Sequence, residues 1–283
     1  MTRIEKNATI KYSYIVKKIS EVCKTTNYQI DSDFFKLVKS KPTNNKRVLK
    51  IIDLFIKNNC IAKSENIPVC QDTGVCTFYI EIGNKVNLDR GIIYDAVQEG
   101  VSIGYKEGYL RKSMVTDPLL RNKNSGDNTP AFVYTEIVEG NKLKIWFLPK
   151  GGGSENVTGL KCFEPTADET QIIKYITESI KSIGSKACPP YKLGICIGGT
   201  VDYCLMMSKK ILIDEFADKS RRALLLSKKI IKETNKLKIG MQGLGIGDTV
   251  VKANIKFLPV HIAMLPVALS VSCNAVRIGR LEI

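Results

Sequence analysis

The chain has 283 residues, enough for one large domain or two lobes sharing a core. Apolar residues make up 44% and charged residues 25%, the balance of a folded globular chain rather than a disordered or fibrous one. With 43 Lys and Arg against 28 Asp and Glu the net charge is +15, but the lysines are scattered and there is one Trp, which speaks against a nucleic-acid surface.

In chain order, residues 10–63 read as helical, with a broad apolar face at Val48, Leu49, Ile51, Ile52, Leu54, Phe55 and Ile56. Pro68 and Gly74 bracket a loop, and TFYIEIG at 77–83 reads as a strand. Residues 89–110 read as a helix ending at the basic pair Arg111-Lys112, and 116–130 as a loop rich in Pro, Gly, Asn and Asp. Two strands follow, AFVYTEIVEG and KLKIWFLPK, read as a hairpin turning at Glu139-Gly140-Asn141. KGGGSEN at 150–156 reads as a glycine loop, 166–184 as helix, 192–198 as a buried strand, 201–236 as one or two helices and 250–258 as a strand. Helices come first, then strands and helices without strict alternation. The fold class expected is α+β, with mixed or antiparallel sheets flanked by helices, in a single subunit spanning 1–283.

No apolar run reaches membrane-spanning length, and the first twenty residues lack the apolar stretch of a signal peptide. The expectation is a reducing, cytoplasmic compartment with no membrane partner, in which the nine cysteines are free, buried or metal-bound. Three of them stand apart: Cys70 in PVCQDTG, Cys188 in KACPPY and Cys273 in VSCNAVR. Each lies in a turn beside apolar sequence and none has a CxxC partner. Three thiolates from distant segments can hold a metal or cluster and leave one coordination position open, as a catalytic site requires. Cys23, Cys60, Cys76, Cys162, Cys196 and Cys204 read instead as small buried hydrophobes.

Other motifs carry two readings. Asp72 and Gln71 beside Cys70 suit acid–base work and a polar ligand, yet Asp-Thr-Gly is also ordinary turn chemistry. Glycines 151–153 allow backbone N–H groups to converge on an anion, or form a flexible turn. GMQGLGIGDT at 240–249 resembles a dinucleotide fingerprint only superficially, because a lysine-rich helix rather than a strand precedes it. Pro189 is expected to press Cys188 into extended geometry. Thr200 suits a helix cap. His261, the one histidine, is either a core residue between two prolines or an ionisable group at the Cys273 site. Arg111 is a carboxylate clamp or a helix-end cation.

Taken in order, CQDTG, KGGGSEN, ACPPY, IGGT and VSCNA resemble the class I, iron–sulfur fumarate hydratases and the related L-tartrate dehydratases, over about residues 60–275. The match is to the cluster-binding part, which in some members is a separate α subunit. The resemblance implies that Cys70, Cys188 and Cys273 bind a 4Fe–4S cluster whose fourth iron acts as a Lewis acid on the substrate hydroxyl. It implies contacts to a dicarboxylate from Gln71, Arg111 and the glycine loop near Gly152, and places Asp72 and His261 in the active site. It puts the base for the C3 proton on a second, β-type domain, expected here on a separate chain in a hetero-oligomer with paired α subunits. Val276 departs from the family pattern, where an Asp is common. The activity implied is hydration of fumarate to malate, with tartrate dehydration as the alternative. A basic, metal-containing nucleic-acid-binding protein is the rival from another class, and the interleaved aromatics it needs are missing.

Overall fold

The computed structural model describes residues 8–283; the polar start read at residues 1–7 lies outside them. In chain order the elements are β1 (Ala8–Ile10), α1 (Tyr12–Asn27), α2 (Ser32–Lys39), α3 (Lys46–Glu65), β2 (Val75–Gly83), β3 (Val86–Leu88), α4 (Ile93–Glu107), β4 (Phe132–Val138) and β5 (Leu143–Lys150). They continue with α5 (Gly152–Glu155), β6 (Gly159–Phe163), α6 (Glu169–Ile183), β7 (Tyr191–Ile197), α7 (Val201–Lys210), α8 (Arg221–Asn235), β8 (Val250–Phe257), β9 (Leu265–Ser272) and β10 (Gly279–Glu282). The class is α+β with mixed sheets. Among the described residues no helix is long and apolar enough to cross a membrane.

The chain divides into two compact units. Among the described residues, the first comprises 8–30, 57–151 and 277–283. Its four-stranded sheet has the order β10-β5-β2-β4, with β2 antiparallel to β5 and parallel to β4. β1 and β3 form a separate parallel pair. The expected hairpin between β4 and β5 does not form, because β2 lies between them. The Glu139–Lys142 connection steps over the end of β2 instead: Gly83 N donates to Lys142 O at 2.9 Å and Lys85 N to Gly140 O at 2.9 Å. Ile15, Ile19, Val22 and Cys23 repeat at helical spacing on α1 and are buried in a core with Ala96, Val97, Val101 and Tyr105 of α4 and Phe78 and Phe147 of the sheet.

The second unit comprises residues 31–56 and 152–276. Its sheet has the order β6-β9-β7-β8, with β7 antiparallel to β9 and parallel to β8. Every residue of β7 is buried, which is why YKLGICI reads as an unbroken apolar run apart from Lys192. On one side Ile172, Ile176, Ile180 and Ile183 of α6 and Leu226 and Ile230 of α8 pack against it. Each such side chain contributes about 1.5–3 kcal/mol on burial. On the other, Cys204, Met207 and Ile211 pack against Cys196 and Ala268. Asp168 and Gln171 form a capping box that starts α6. Thr200 stands at the start of α7 but makes no capping bond.

A charged cluster is built around a buried lysine in this unit. Lys192 is 0% exposed and pairs with Asp214, in a single 3-10 turn, at 2.9 Å. Lys252 reaches the other Asp214 oxygen at 2.6 Å, and Asn254 Nδ2 donates to the carboxylate at 2.7 Å. Burial opposes ionisation of Asp214, but the Lys192 charge and the bonds from Asn254 and both lysines outweigh it and hold the carboxyl at about 2.

Candidate functional site

In the first unit, Cys70, Gln71 and Asp72 occupy the loop between α3 and β2. Four of its backbone carbonyls are bonded by side chains. Asn58 Nδ2 donates to Val69 O at 3.0 Å, Arg277 Nη2 to Asp72 O at 2.9 Å, the Tyr105 hydroxyl to Thr73 O at 2.9 Å and Asn128 Nδ2 to Gly74 O at 3.0 Å. Arg277 is 2% exposed, and its Nη1 donates to Asn27 Oδ1 at 2.7 Å, which ties the loop to the end of α1. Burial, aided by the nearby Cys76 and Cys23 thiols, pushes the Tyr105 hydroxyl well up, so it stays protonated as the donor. Gly74 has φ +80°, and a Cβ there would meet the Lys150 backbone at 2.7 Å, so only glycine lets the loop enter β2 beside the end of β5.

This scaffold leaves the ligand-type side chains outward. Gln71 is exposed, while Cys70 and Asp72 are half-buried. Gly74 N donates to Asp72 Oδ1 at 3.1 Å, and a Cβ on Gly151 would come within 2.8 Å of Asp72 Oδ2, so the first glycine of the GGG run lies directly against this carboxylate. Arg111 is exposed and sits four residues beyond the end of α4, so it is no helix-end cation. Its carbonyl accepts from Thr73 Oγ1 at 2.8 Å, which brings Arg111 beside the Cys70 loop.

In the second unit, Cys188 is separated from the start of β7 by Pro189 and Pro190, Cys273 immediately follows β9, and because these strands are antiparallel both lie at one end of the sheet. Asn274 donates twice to Cys188 O, from its backbone N and its Nδ2, each at 3.0 Å. Cys188 is exposed and Cys273 half-buried. Burial, partly offset by a backbone hydrogen bond at Ala187, pushes the Tyr191 hydroxyl up to about 12. Cys188 does not take the extended geometry expected before proline: its φ is +55°, in the left-handed region, and Pro189-Pro190 is cis. The bonds from Cys188 N to Ser185 O and from Asn274 to Cys188 O over-determine that turn.

Gly152 opens the single helical turn of α5 rather than a flexible loop. A Cβ on Gly153 would lie 3.3 Å from Lys186 O, so this turn lies against the segment leading to Cys188. His261 behaves otherwise. It is exposed in the loop joining β8 to β9, with its Nδ1 accepting from Ala263 N at 3.2 Å, so it is not a core residue. That loop is at the end of the sheet opposite Cys188 and Cys273, with the eight residues of β9 between His261 and Cys273, roughly 3.3 Å each. Nearness in sequence does not bring His261 to the thiols. Two of the six cysteines expected to be buried, Cys60 and Cys162, are exposed; Cys23, Cys76, Cys196 and Cys204 are buried.

Among the described residues no three His, Cys, Asp or Glu side chains group as ligands of a single metal ion. The thiols at the end of the second sheet nonetheless fit an iron–sulfur group in donor chemistry and accessibility, since two cysteines on rigid turns lead outward from one sheet end.

A family model described as fumarate hydratase (Fumerase) matches residues 16–282. The chain belongs to this family. Among its relatives, a Methanocaldococcus jannaschii protein named as an L(+)-tartrate dehydratase subunit alpha is 36% identical over 241 residues, covering 82% of this chain and 83% of that protein. The L(+)-tartrate dehydratase subunit alpha of Escherichia coli is 27% identical over 222 residues, covering 77% of this chain and 73% of that one. The anaerobic class I fumarate hydratase of Escherichia coli is 29% identical over 239 residues, covering 79% of this chain but 42% of its own length.

Reading motifs alone left out the residues that hold this fumarate hydratase family site in shape. Arg277 and Asn128 bind the Cys70 loop, and Asn274 joins the two cysteine turns. Arg277 had a signal: an arginine flanked by Val276 and Ile278 in an apolar stretch needs buried acceptors.

Proposed function

We propose that this chain is the α-type subunit, spanning 1–283, of a hydro-lyase acting on a four-carbon dicarboxylate. The reaction is the reversible addition of water to fumarate to give malate. Membership of the family, together with the two accessible cysteine turns at one sheet end, is the observation that carries the reading. Cys70, Cys188 and Cys273 hold a 4Fe–4S cluster, which supplies a Lewis-acid iron for the substrate hydroxyl.

The chain's own groups bind and orient. Arg111 pairs with a substrate carboxylate, and its planar fork suits that anion better than a lysine would. Gln71 donates to the substrate from the same loop. N–H groups of the turn at Gly152 take up negative charge on the other carboxylate. Asp72, fixed by its bond from Gly74 N, orients a substrate hydroxyl or holds a proton beside it. His261 belongs to the proposal only as a group acting from its own loop. The base for the C3 proton comes from a β-type partner, which this chain pairs with in a hetero-oligomer. A cytoplasmic, oxygen-sensitive enzyme goes with thiolate ligands of which Cys188 is exposed and Cys70 and Cys273 are half-buried.

Tartrate dehydration is the second reading, favoured by one observation: the relatives that this chain covers over most of their length are named tartrate dehydratase alpha subunits. The test is to co-purify the chain with its partner and assay fumarate, malate and tartrate without oxygen. Malate and fumarate turnover by the pair, and almost none by the single chain, is expected. Turnover of tartrate alone moves the assignment to the second reading, and full activity from the single chain overturns the subunit division. Removing a catalytic base commonly costs about 10²–10⁴ in rate, so the single chain should fall short by at least that factor.

A further inference from the structure

The segment 238–247 is wound unusually tightly. Gly240, Gly243, Gly245 and Gly247 all have φ between +71° and +75°, the left-handed region where glycine carries no penalty. Gln242, among them, has φ +54° and ψ +16°. A side chain there costs about 1–2 kcal/mol relative to glycine. Nothing within the fold repays it: Gln242 is exposed, and among the described residues its amide has no hydrogen-bond partner. Leaving a side chain in strained backbone with no packing role points to a role for the side chain itself.

Its location says which. Gln242 N donates to Pro189 O at 2.8 Å, one residue beyond Cys188. A Cβ on the next residue, Gly243, would fall 2.5 Å from Ser185 Cβ, and Ser185 O is the acceptor for Cys188 N. Residues 242–243 therefore lie directly on the Ser185–Pro189 turn that carries Cys188. The amide is a two-proton donor, and a cysteine sulfur bound to iron is an electron-rich acceptor.

We propose that Gln242 is a positioning residue whose side-chain amide donates a hydrogen bond to the Cys188 sulfur in the cluster-bound protein, raising the reduction potential of the cluster. The proposal rests on the cluster reading above. A donor aimed at a ligand sulfur stabilises the more negative, reduced state, so its removal lowers the potential.

The experiment is a redox titration followed by electron paramagnetic resonance, on anaerobically reconstituted full-length chain and its variants. Gln242→Gly relieves the left-handed strain, so the thermal midpoint should hold or rise while the potential falls below that of the wild type. Gln242→Leu keeps the bulk and the strain but removes both donors, and it should lower the potential in the same direction. Gln242→Asn keeps an amide and should recover part of the shift. An intact cluster with an unmoved potential in both the Gly and Leu variants overturns this inference alone. A wild-type chain that takes up no iron–sulfur cluster overturns the cluster reading and this inference with it.

Discussion

Cys70 rides on a loop whose carbonyls are bonded by buried side chains from elsewhere in its unit, whereas Cys188 and Cys273 sit in turns held mainly by their own backbone. Arg277, Tyr105 and Asn128 reach the first loop from positions 32 or more residues away. The Cys188 turn relies on left-handed φ, on bonds to Ser185 and Asn274, and on the start of β7. Both designs fix a thiol, but they fail differently. A loop held by buried side chains is lost when one side chain is changed, because acceptors are left unsatisfied in the interior. A turn held by backbone tolerates side-chain changes and is sensitive to conformation.

The largest effect is therefore expected at Arg277. Arg277→Met removes two charge-assisted bonds and leaves the buried Asn27 Oδ1 and the part-buried Asp72 O without this donor, a loss of about 3 kcal/mol or more. Urea unfolding should report it, and iron retention should fall with it, because the Cys70 loop loosens. A loss under about 1 kcal/mol would show that the loop does not depend on its clamp.

Acid sharpens the contrast, since the clamp on the Cys70 loop donates to carbonyls while the second unit pairs the half-buried Asp214 carboxylate with the buried Lys192. Asp214 is held at about 2, below its ordinary 3.8, so it stabilises the fold above about pH 4. That contribution, about 2 kcal/mol, drains away as pH falls from about 4 to about 2. Unfolding free energy followed over that window should fall less steeply in Asp214→Asn than in the wild type, from a lower starting point. Equal slopes would mean that the Lys192–Asp214–Lys252 group does not titrate as the geometry implies.

Arg111 tests the outward face of the first loop rather than its support. Arg111→Ala should leave stability and iron content unchanged, while the Michaelis constant or rate for the dicarboxylate worsens by more than about tenfold, the lower end of losing a charge-assisted pair. Unchanged saturation kinetics would leave Arg111 a solvated surface cation.

Asn274→Ala should do least. It deletes the Nδ2 bond to Cys188 O but keeps the backbone bond to the same atom, so about 1 kcal/mol is expected in thermal unfolding. A loss as large as that at Arg277 would erase the distinction between the two designs.

The elements were largely legible in the sequence because their patterns are local. Isoleucines four apart mark α6, an unbroken apolar run marks β7, and the loop before Pro130 is where expected. What was not legible depends on pairing over distance. β4 and β5 look like a hairpin because a Gly-Asn turn joins them, and nothing nearby reveals that β2 intervenes. β9 was missed although it delivers Cys273, since Pro266 and its small residues blur its alternation. At the site, motifs picked out the cysteines, Asp72 and Arg111, which are local signals. The sheet register then separated His261 from Cys273, and residue distance alone could not have done so. The left-handed conformation of Cys188 was read wrongly because the rule for residues before proline is statistical, and here three hydrogen bonds override it.

The central claim, that Cys70, Cys188 and Cys273 together hold one iron–sulfur cluster, is tested most directly by iron and sulfide content per chain after anaerobic reconstitution, measured for nine single Cys→Ser variants and for His261→Ala. The account predicts full loading in the wild type, in His261→Ala and in the variants at Cys23, Cys60, Cys76, Cys162, Cys196 and Cys204, with loss of most iron in the other three. Full loading in Cys188→Ser or Cys273→Ser, or a requirement for Cys76 or Cys196 equal to that for Cys70, would contradict it.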